Sequence, residues 1–153
     1  MKKVVLLLAF AIFGGQAIAQ NNEAELMMSM FKVEKKALLM DFLQLNEEES
    51  AAFWPLYEAF NLDRGEVAKK RMALITKYAD EYNTITPEQI DELVNESFTN
   101  RAALEKLHKS YYKKFKKAVG AKRAAQFVQY ERFVDNAINT ELNNNIPLIG
   151  ELD

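Results

Sequence analysis

The amino-acid sequence predicts an all-α protein, and three observations support that prediction. Only 5 Gly and 3 Pro occur among the 153 residues, so residues that interrupt regular structure are scarce. Apolar residues recur three and four positions apart over long stretches, which is the spacing of one face of a helix. No alternation of apolar and polar residues is long enough to favour a β-strand. We therefore expect four helices.

The first nineteen residues have the three parts of a cleavable secretory signal. Two lysines follow the first methionine, residues 4–13 form an unbroken apolar run, and Ala17 and Ala19 give the small-residue pattern of a cleavage site. The run is shorter than the roughly 20 residues that a helix needs to cross a bilayer. We expect cleavage after Ala19, a periplasmic location, and one helical domain over residues 20–153 with no stable membrane span. A retained membrane anchor is the alternative.

The first predicted helix covers roughly residues 23–42. Its apolar residues step by four, three, four and three positions, which predicts a stripe that faces the core. This stripe consists of Leu26, Met30, Val33, Ala37 and Met40. The methionines near its start are more typical of adaptable packing, or of contact with varied partners, than of copper binding.

The second predicted helix starts at Asn46, a favoured N-cap, and Glu49 stands where it can complete a capping box. Pro55 lies inside this helix, so we expect a kink or a break close to it. Apolar side chains recur every seven residues, as in a coiled coil. They are Phe53, Phe60, Val67 and Leu74.

The third predicted helix has Thr86 as its N-cap, Pro87 at its first position and Gln89 at its third. Gly120 ends it, and a fourth helix follows over roughly residues 121–143. The second and third helices each exceed 30 residues and are joined by a short link. We therefore expect an antiparallel hairpin in an elongated molecule, with part of the apolar stripe covered by a second copy in a homodimer.

The starts of the second and third helices share a motif. Residues 85–89 read Ile-Thr-Pro-Glu-Gln and residues 45–49 read Leu-Asn-Glu-Glu-Glu. With its signal, length and helix layout, the chain resembles the Spy/CpxP (LTXXQ-motif) family of periplasmic helical proteins. It looks closest to a divergent branch with Phe-Trp-Pro-Leu-Tyr after the first motif, here residues 53–57. The resemblance implies a curved dimer whose concave face binds unfolded clients without nucleotide, or a role in envelope stress or metal sensing.

Basic residues are concentrated in one stretch of the sequence. Residues 106–130 contain eight Lys or Arg and no acidic residue. We expect this stretch, with one tryptophan of the second helix, to bind acidic, partly unfolded clients. Anionic lipid headgroups, or a solvated face balanced by acidic helices, are the alternatives, and the export signal disfavours nucleic acid. The candidate client-binding residues are Lys106, Lys109, Tyr112, Lys113, Lys114, Lys116, Lys117 and Trp54.

The composition argues against catalysis and against a metal site. There is no Cys, which excludes thiol chemistry and Cys-ligated metals. Glu105 and His108 form a Glu-x-x-His pair, but a di-iron bundle needs two such pairs and His108 is the only His. We expect His108 at the surface or at an interface, where two copies of it could meet. The sequence predicts no enzyme and no cofactor; the alternative function is a periplasmic regulator or metal sensor acting on an inner-membrane partner.

Overall fold

The described part of the chain is built from helices. The computed structural model describes the backbone of residues 20–151 and the side chains of residues 29–151. Three helices and no strand occupy this range: α1 is Gln20–Leu43, α2 is Glu47–Glu81 and α3 is Pro87–Asn145. The all-α prediction is confirmed, whereas the predicted signal over residues 1–19 lies outside the described residues.

The predicted third and fourth helices form one element, α3. Gly120 interrupts α3 with φ 82° and ψ 167°, which are not helical values. A positive φ of this kind is open to glycine and strained for other residues. A Cβ at this position would meet no atom within 4 Å, so the backbone conformation, not lack of space, requires the glycine. The prediction of four separate helices is therefore not confirmed, because no connecting segment follows the interruption.

Two glycine replacements should have opposite effects on stability. Gly120→Ala should lower the free energy of unfolding by about 1–3 kcal/mol, because alanine must adopt the strained backbone. Gly65 lies inside α2 and a Cβ there would also meet nothing within 4 Å. Gly65→Ala should therefore raise the same free energy by about 0.5–1 kcal/mol. Urea unfolding of both variants measures the difference, and destabilisation by both would contradict the assignment.

Capping side chains fix the starts of α2 and α3. The side-chain oxygen of Asn46 accepts from the backbone N–H of Glu49 at 2.8 Å, and Glu49 Oε2 accepts from the backbone N–H of Asn46 at 3.0 Å. Gln89 and Thr86 form the same reciprocal pair at 2.8 and 3.3 Å. The predicted capping residues therefore satisfy backbone groups that a helix start leaves without partners.

α2 continues through Pro55, so of the kink or break that the sequence predicted, the break does not occur. A proline inside a helix removes one hydrogen bond, here the bond to the carbonyl four residues earlier, on Ala51. Both Ala51 and Pro55 are exposed. Water can therefore satisfy that carbonyl, and the missing bond does not end the helix.

The chain divides into two compact units. The first unit contains α1, extending to residue 45, together with Gln126–Leu148. The second unit contains Asn46–Ala125 together with residues 149–151. α3 contributes to both units, and Ala125 is its last residue in the second one.

In the second unit, α2 and the first part of α3 pack together through aromatic side chains. The rings of Phe53 and Phe115 lie 4.6 Å apart, and farther along α2 the Lys77 ammonium is 2.8 Å from Glu92 Oε2. Later residues of α2 thus contact earlier residues of α3, and the packing of two long helices is confirmed. The buried side chains are Phe53, Tyr57, Phe60, Leu93, His108, Tyr111, Phe115 and Ala124.

In the first unit, the last turns of α1 pack against the final part of α3. Leu39 and Leu43 are fully buried. Lys35 Nζ lies 2.7 Å from Glu131 Oε2, and these two side chains are 5% and 0% exposed. The hydroxyl of Tyr130 donates to the backbone carbonyl of Lys35 at 2.8 Å. Burial raises the pKa of Tyr130, so the hydroxyl keeps the proton that this bond requires.

The face of α1 that the sequence predicted to be buried is exposed, and that prediction is wrong. Met30, Val33 and Met40 are 52%, 68% and 51% exposed. The helix buries a different face, which includes Lys35 and Leu39. A rule that counts only apolar residues excludes a lysine from the core, although an ion pair with a buried carboxylate allows it there.

Candidate functional site

Five exposed lysines share one side of α3. At 100° per residue they fall within an arc of about 100°, and they extend roughly 16 Å along the helix. Side chains three or four positions apart on a helix have Cβ atoms about 5–6 Å apart. This separation is below the Debye length of about 8 Å at physiological ionic strength, so the fields of neighbouring lysines add. We call this set the lysine face: Lys106, Lys109, Lys113, Lys116 and Lys117.

The opposite side of α3 is buried and holds the lysine face outward. Phe115 is fully buried, and Tyr111 is 2% exposed. The Tyr111 hydroxyl donates to Asp63 Oδ2 of α2 at 2.7 Å. Burial, and then the bond to the Asp63 carboxylate, raises the pKa of Tyr111 to about 12. The tyrosine therefore stays a donor at neutral pH, and this bond with the aromatic packing fixes the rotation of α3 about its axis.

The lysine face has no ion pair to a described carboxylate, although Glu105 lies four positions before Lys109 on the same helix. Within the described part of the chain, none of its five lysines forms an ion pair with an acidic side chain. Arg123 behaves differently, because its guanidinium donates to both carboxylate oxygens of Glu49 at 3.0 and 3.4 Å. That bond, and then the backbone N–H of Asn46, lowers the pKa of Glu49. Of the eight basic residues in this stretch, Arg123 is therefore committed to the fold, and the five of the lysine face are exposed without such an ion pair.

The other candidate residues lie away from the lysine face. Lys114 Nζ lies 4.0 Å from the centre of the Tyr111 ring, a cation–π contact on the flank of α3. Tyr112 is half-buried on the other flank. Trp54 of α2 is half-buried and makes edge contacts with the rings of Phe53 and Tyr57 at 5.0 and 5.5 Å. The structure thus groups five of the predicted residues and places three elsewhere in the same unit.

His108 is buried in the second unit, so the expected surface position is wrong. Its side chain is 3% exposed, and its ring stacks on Phe60 with centres 5.7 Å apart. The helix period explains this placement, since His108 lies on the same side of α3 as Tyr111 and Phe115. Among the residues that the structure describes, no group of three or more His, Cys, Asp or Glu side chains could hold a metal ion.

An open groove between α2 and α3 was not anticipated from the sequence. It has a volume of about 480 Å³, with apolar lining from Val67, Leu74 and Ala103 and charged side chains of both signs, including Glu66 and Lys70. The seven-residue spacing on α2 predicted a buried stripe, but Val67 and Leu74 are only half-buried. Two helices alone cannot cover both sides of such a stripe, which leaves apolar surface open to a partner.

Comparisons with protein-family models, with curated proteins and with solved structures gave no match. Within residues 20–151, no helix has the length and apolar character that crossing a membrane requires. The candidate site therefore rests on its own geometry: an exposed lysine face without ion pairs to the described acidic side chains, and a partly apolar groove in the same unit.

Proposed function

We propose that this chain is an exported, periplasmic helical binding protein with chaperone-like activity, acting as a homodimer and without catalysis. The observation that carries this proposal is the lysine face, because five exposed lysines form no ion pair with the described acidic side chains. Kinship with the Spy/CpxP family, the helical hairpin and a part in envelope stress belong to the same proposal. The predicted export signal and the two capping motifs support them.

The clients that fit this surface are acidic segments of partly unfolded proteins. A row of like charges raises the rate at which oppositely charged partners arrive, and salt weakens that attraction. The apolar lining of the groove offers a second contact, to apolar side chains that an unfolded client exposes. Both surfaces belong to the second unit, whose aromatic core holds α2 and α3 together.

Charge reversal on the lysine face should remove most of the activity. The wild-type protein should suppress the aggregation of reduced α-lactalbumin, an acidic client, at near-stoichiometric amounts. Lys109→Glu, Lys113→Glu and Lys116→Glu combined should slow client association about tenfold or more, because the steering field changes sign. Light scattering reports the aggregation, and stopped-flow fluorescence reports the association rate over a series of salt concentrations.

A matched variant separates the lysine face from total charge. Lys32, Arg101 and Lys122 are exposed and lie outside both the lysine face and the lining of the groove. Their replacement by Glu changes the net charge by the same amount and should leave most of the activity in place. Equal losses in both triple variants would mean that net charge alone acts. No suppression by the wild-type protein would contradict the proposed function.

The alternative of a metal sensor that acts on an inner-membrane partner gains no specific support. His108, which the sequence offered only as a weak candidate for a metal ligand, is covered by residues of its own unit, including Phe60. Among the described residues, no three or more His, Cys, Asp or Glu side chains are grouped so that they could hold a metal ion. The lysine face, by contrast, is an exposed surface whose charge fits an anionic partner, and for that reason we prefer the binding protein.

A further inference from the structure

α1 carries a second apolar stripe on the side away from its buried face. Met30, Val33 and Met40 are each about half exposed or more, at 52%, 68% and 51%, and Ala37 between them is exposed too. At 100° per residue the four side chains fall within an arc of about 80°. Contiguous apolar surface of this kind on a helix indicates a contact that the single chain does not make.

The spacing of this stripe is that of a coiled-coil seam. Residues 30, 33, 37 and 40 follow one another by three, four and three positions, which places them at a, d, a and d of a heptad. Side chains at these positions insert between those of a facing helix. α1 has 24 residues, which corresponds to roughly 36 Å of helix and exceeds the length of the seam.

We propose that this stripe is the seam of a parallel two-stranded coiled coil between α1 of one copy and α1 of a second copy. Charge favours this occupant and this orientation. Lys36 stands at a g position and Asp41 at the following e position. In a parallel pair, g of one helix faces the following e of the other. Each Lys36 then faces Asp41 of the second copy, and symmetry makes this contact twice.

The antiparallel arrangement is disfavoured by the same residues. In that arrangement e faces e and g faces g, so Glu34 and Asp41, both at e positions, would come together. Two carboxylates in contact repel, whereas the parallel arrangement separates them. The parallel pair also places Glu34 opposite Ser29 of the second copy. Only one of these two residues is charged, so this pair causes no repulsion.

The inference specifies the surface of the homodimer in the proposed function, and it does not depend on client binding. The seam consists of only four side chains per helix, whereas stable interfaces usually bury about 1,200–2,000 Å² in total. We therefore expect self-association in the micromolar range or weaker, with monomers and dimers in exchange. Sedimentation of the full-length protein as purified should show this exchange over a hundredfold range of concentration.

Cysteine crosslinking tests the register directly, since the sequence contains no Cys. In a parallel pair in register, two copies of Val33 lie in the same layer of the seam. Val33→Cys should therefore form a disulfide-linked dimer under mild oxidation, at least about tenfold faster than Lys32→Cys. Lys32 is exposed but lies outside the seam, so it is the matched control. Equal crosslinking rates for the two variants would overturn the seam.

A charge placed in the seam separates this inference from the broader proposal. Val33→Asp should weaken self-association at least tenfold while leaving the thermal unfolding of the dilute protein unchanged, because Val33 is already 68% exposed. If self-association is unchanged by this substitution, the proposed seam is wrong, but the homodimer of the proposed function is not contradicted. A protein that stays monomeric throughout overturns both. Loss of client binding by Val33→Asp, with self-association unchanged, would assign the stripe to clients and overturn the seam.

Discussion

Replacing Lys35 with Met will lower the free energy of unfolding by about 3–5 kcal/mol, the range found when a buried ion pair loses one member. Lys35 and Glu131 are 5% and 0% exposed and lie 2.7 Å apart. Without the ammonium, the carboxylate of Glu131 stays in the interior without its positive partner. A buried carboxylate in that state is far more costly than one in water. Chemical denaturation monitored by circular dichroism measures the loss.

Two further variants show whether charge burial causes that loss. Replacing Lys35 with Met and Glu131 with Leu together should recover most of the stability, because apolar pairs often replace a buried ion pair without cost. Lys69 is the exposed control: it pairs with Glu66 at 2.8 Å, but the side chains are 76% and 65% exposed. Lys69→Met should change the free energy of unfolding by about 0.5 kcal/mol or less. A double variant as unstable as Lys35→Met would contradict the explanation.

The same ion pair shows why the face of α1 was predicted wrongly. Spacing rules assign apolar residues to the core, and α1 has apolar residues on two sides. The choice between the two sides depends on Glu131, which is 96 residues away in sequence from Lys35. No local pattern contains that partner. The prediction therefore selected the exposed stripe of Met30 and Val33 and excluded the lysine that the fold buries.

Helix starts and aromatic core positions were predictable because their signals are local or strongly periodic. Asn46 and Thr86 each bond to a residue three positions later, so the sequence contains both partners. Phe53 and Phe60 are fully buried, as the spacing on α2 predicted. Farther along α2 the same spacing predicted burial that the structure does not have, since Val67 is half-buried beside the groove. Periodicity identifies which face is apolar, not what covers it.

The candidate site was predictable in part for the same reason. Helical period alone places the five lysines of the lysine face opposite Tyr111 and Phe115. It could not show that Arg123 bonds to Glu49 or that Lys114 covers the Tyr111 ring. Both contacts depend on distances between side chains, so a count of positive charges overstated how many of them face a partner.

The aromatic core behind the lysine face should be the largest single source of stability in the second unit. Phe115 is fully buried, and its ring lies 4.6 Å from that of Phe53 and 6.3 Å from that of Tyr111. Phe115→Ala should lower the free energy of unfolding by about 3–5 kcal/mol, through lost burial and the cavity left behind. Phe98 belongs to the same helix but is 65% exposed. Phe98→Ala should change that free energy by about 0.5 kcal/mol or less.

The pair of phenylalanine variants also tests how the lysine face depends on the core. Where the folded fraction of Phe115→Ala is still high, at low temperature, the variant should bind clients as the wild type does. As the temperature rises, its client binding and its circular dichroism signal should fall together. The reason is that Phe115 holds α3 in place and does not contact the client. Phe98→Ala should keep both properties at every temperature. Loss of client binding by folded Phe115→Ala would show that the buried ring shapes the binding surface directly.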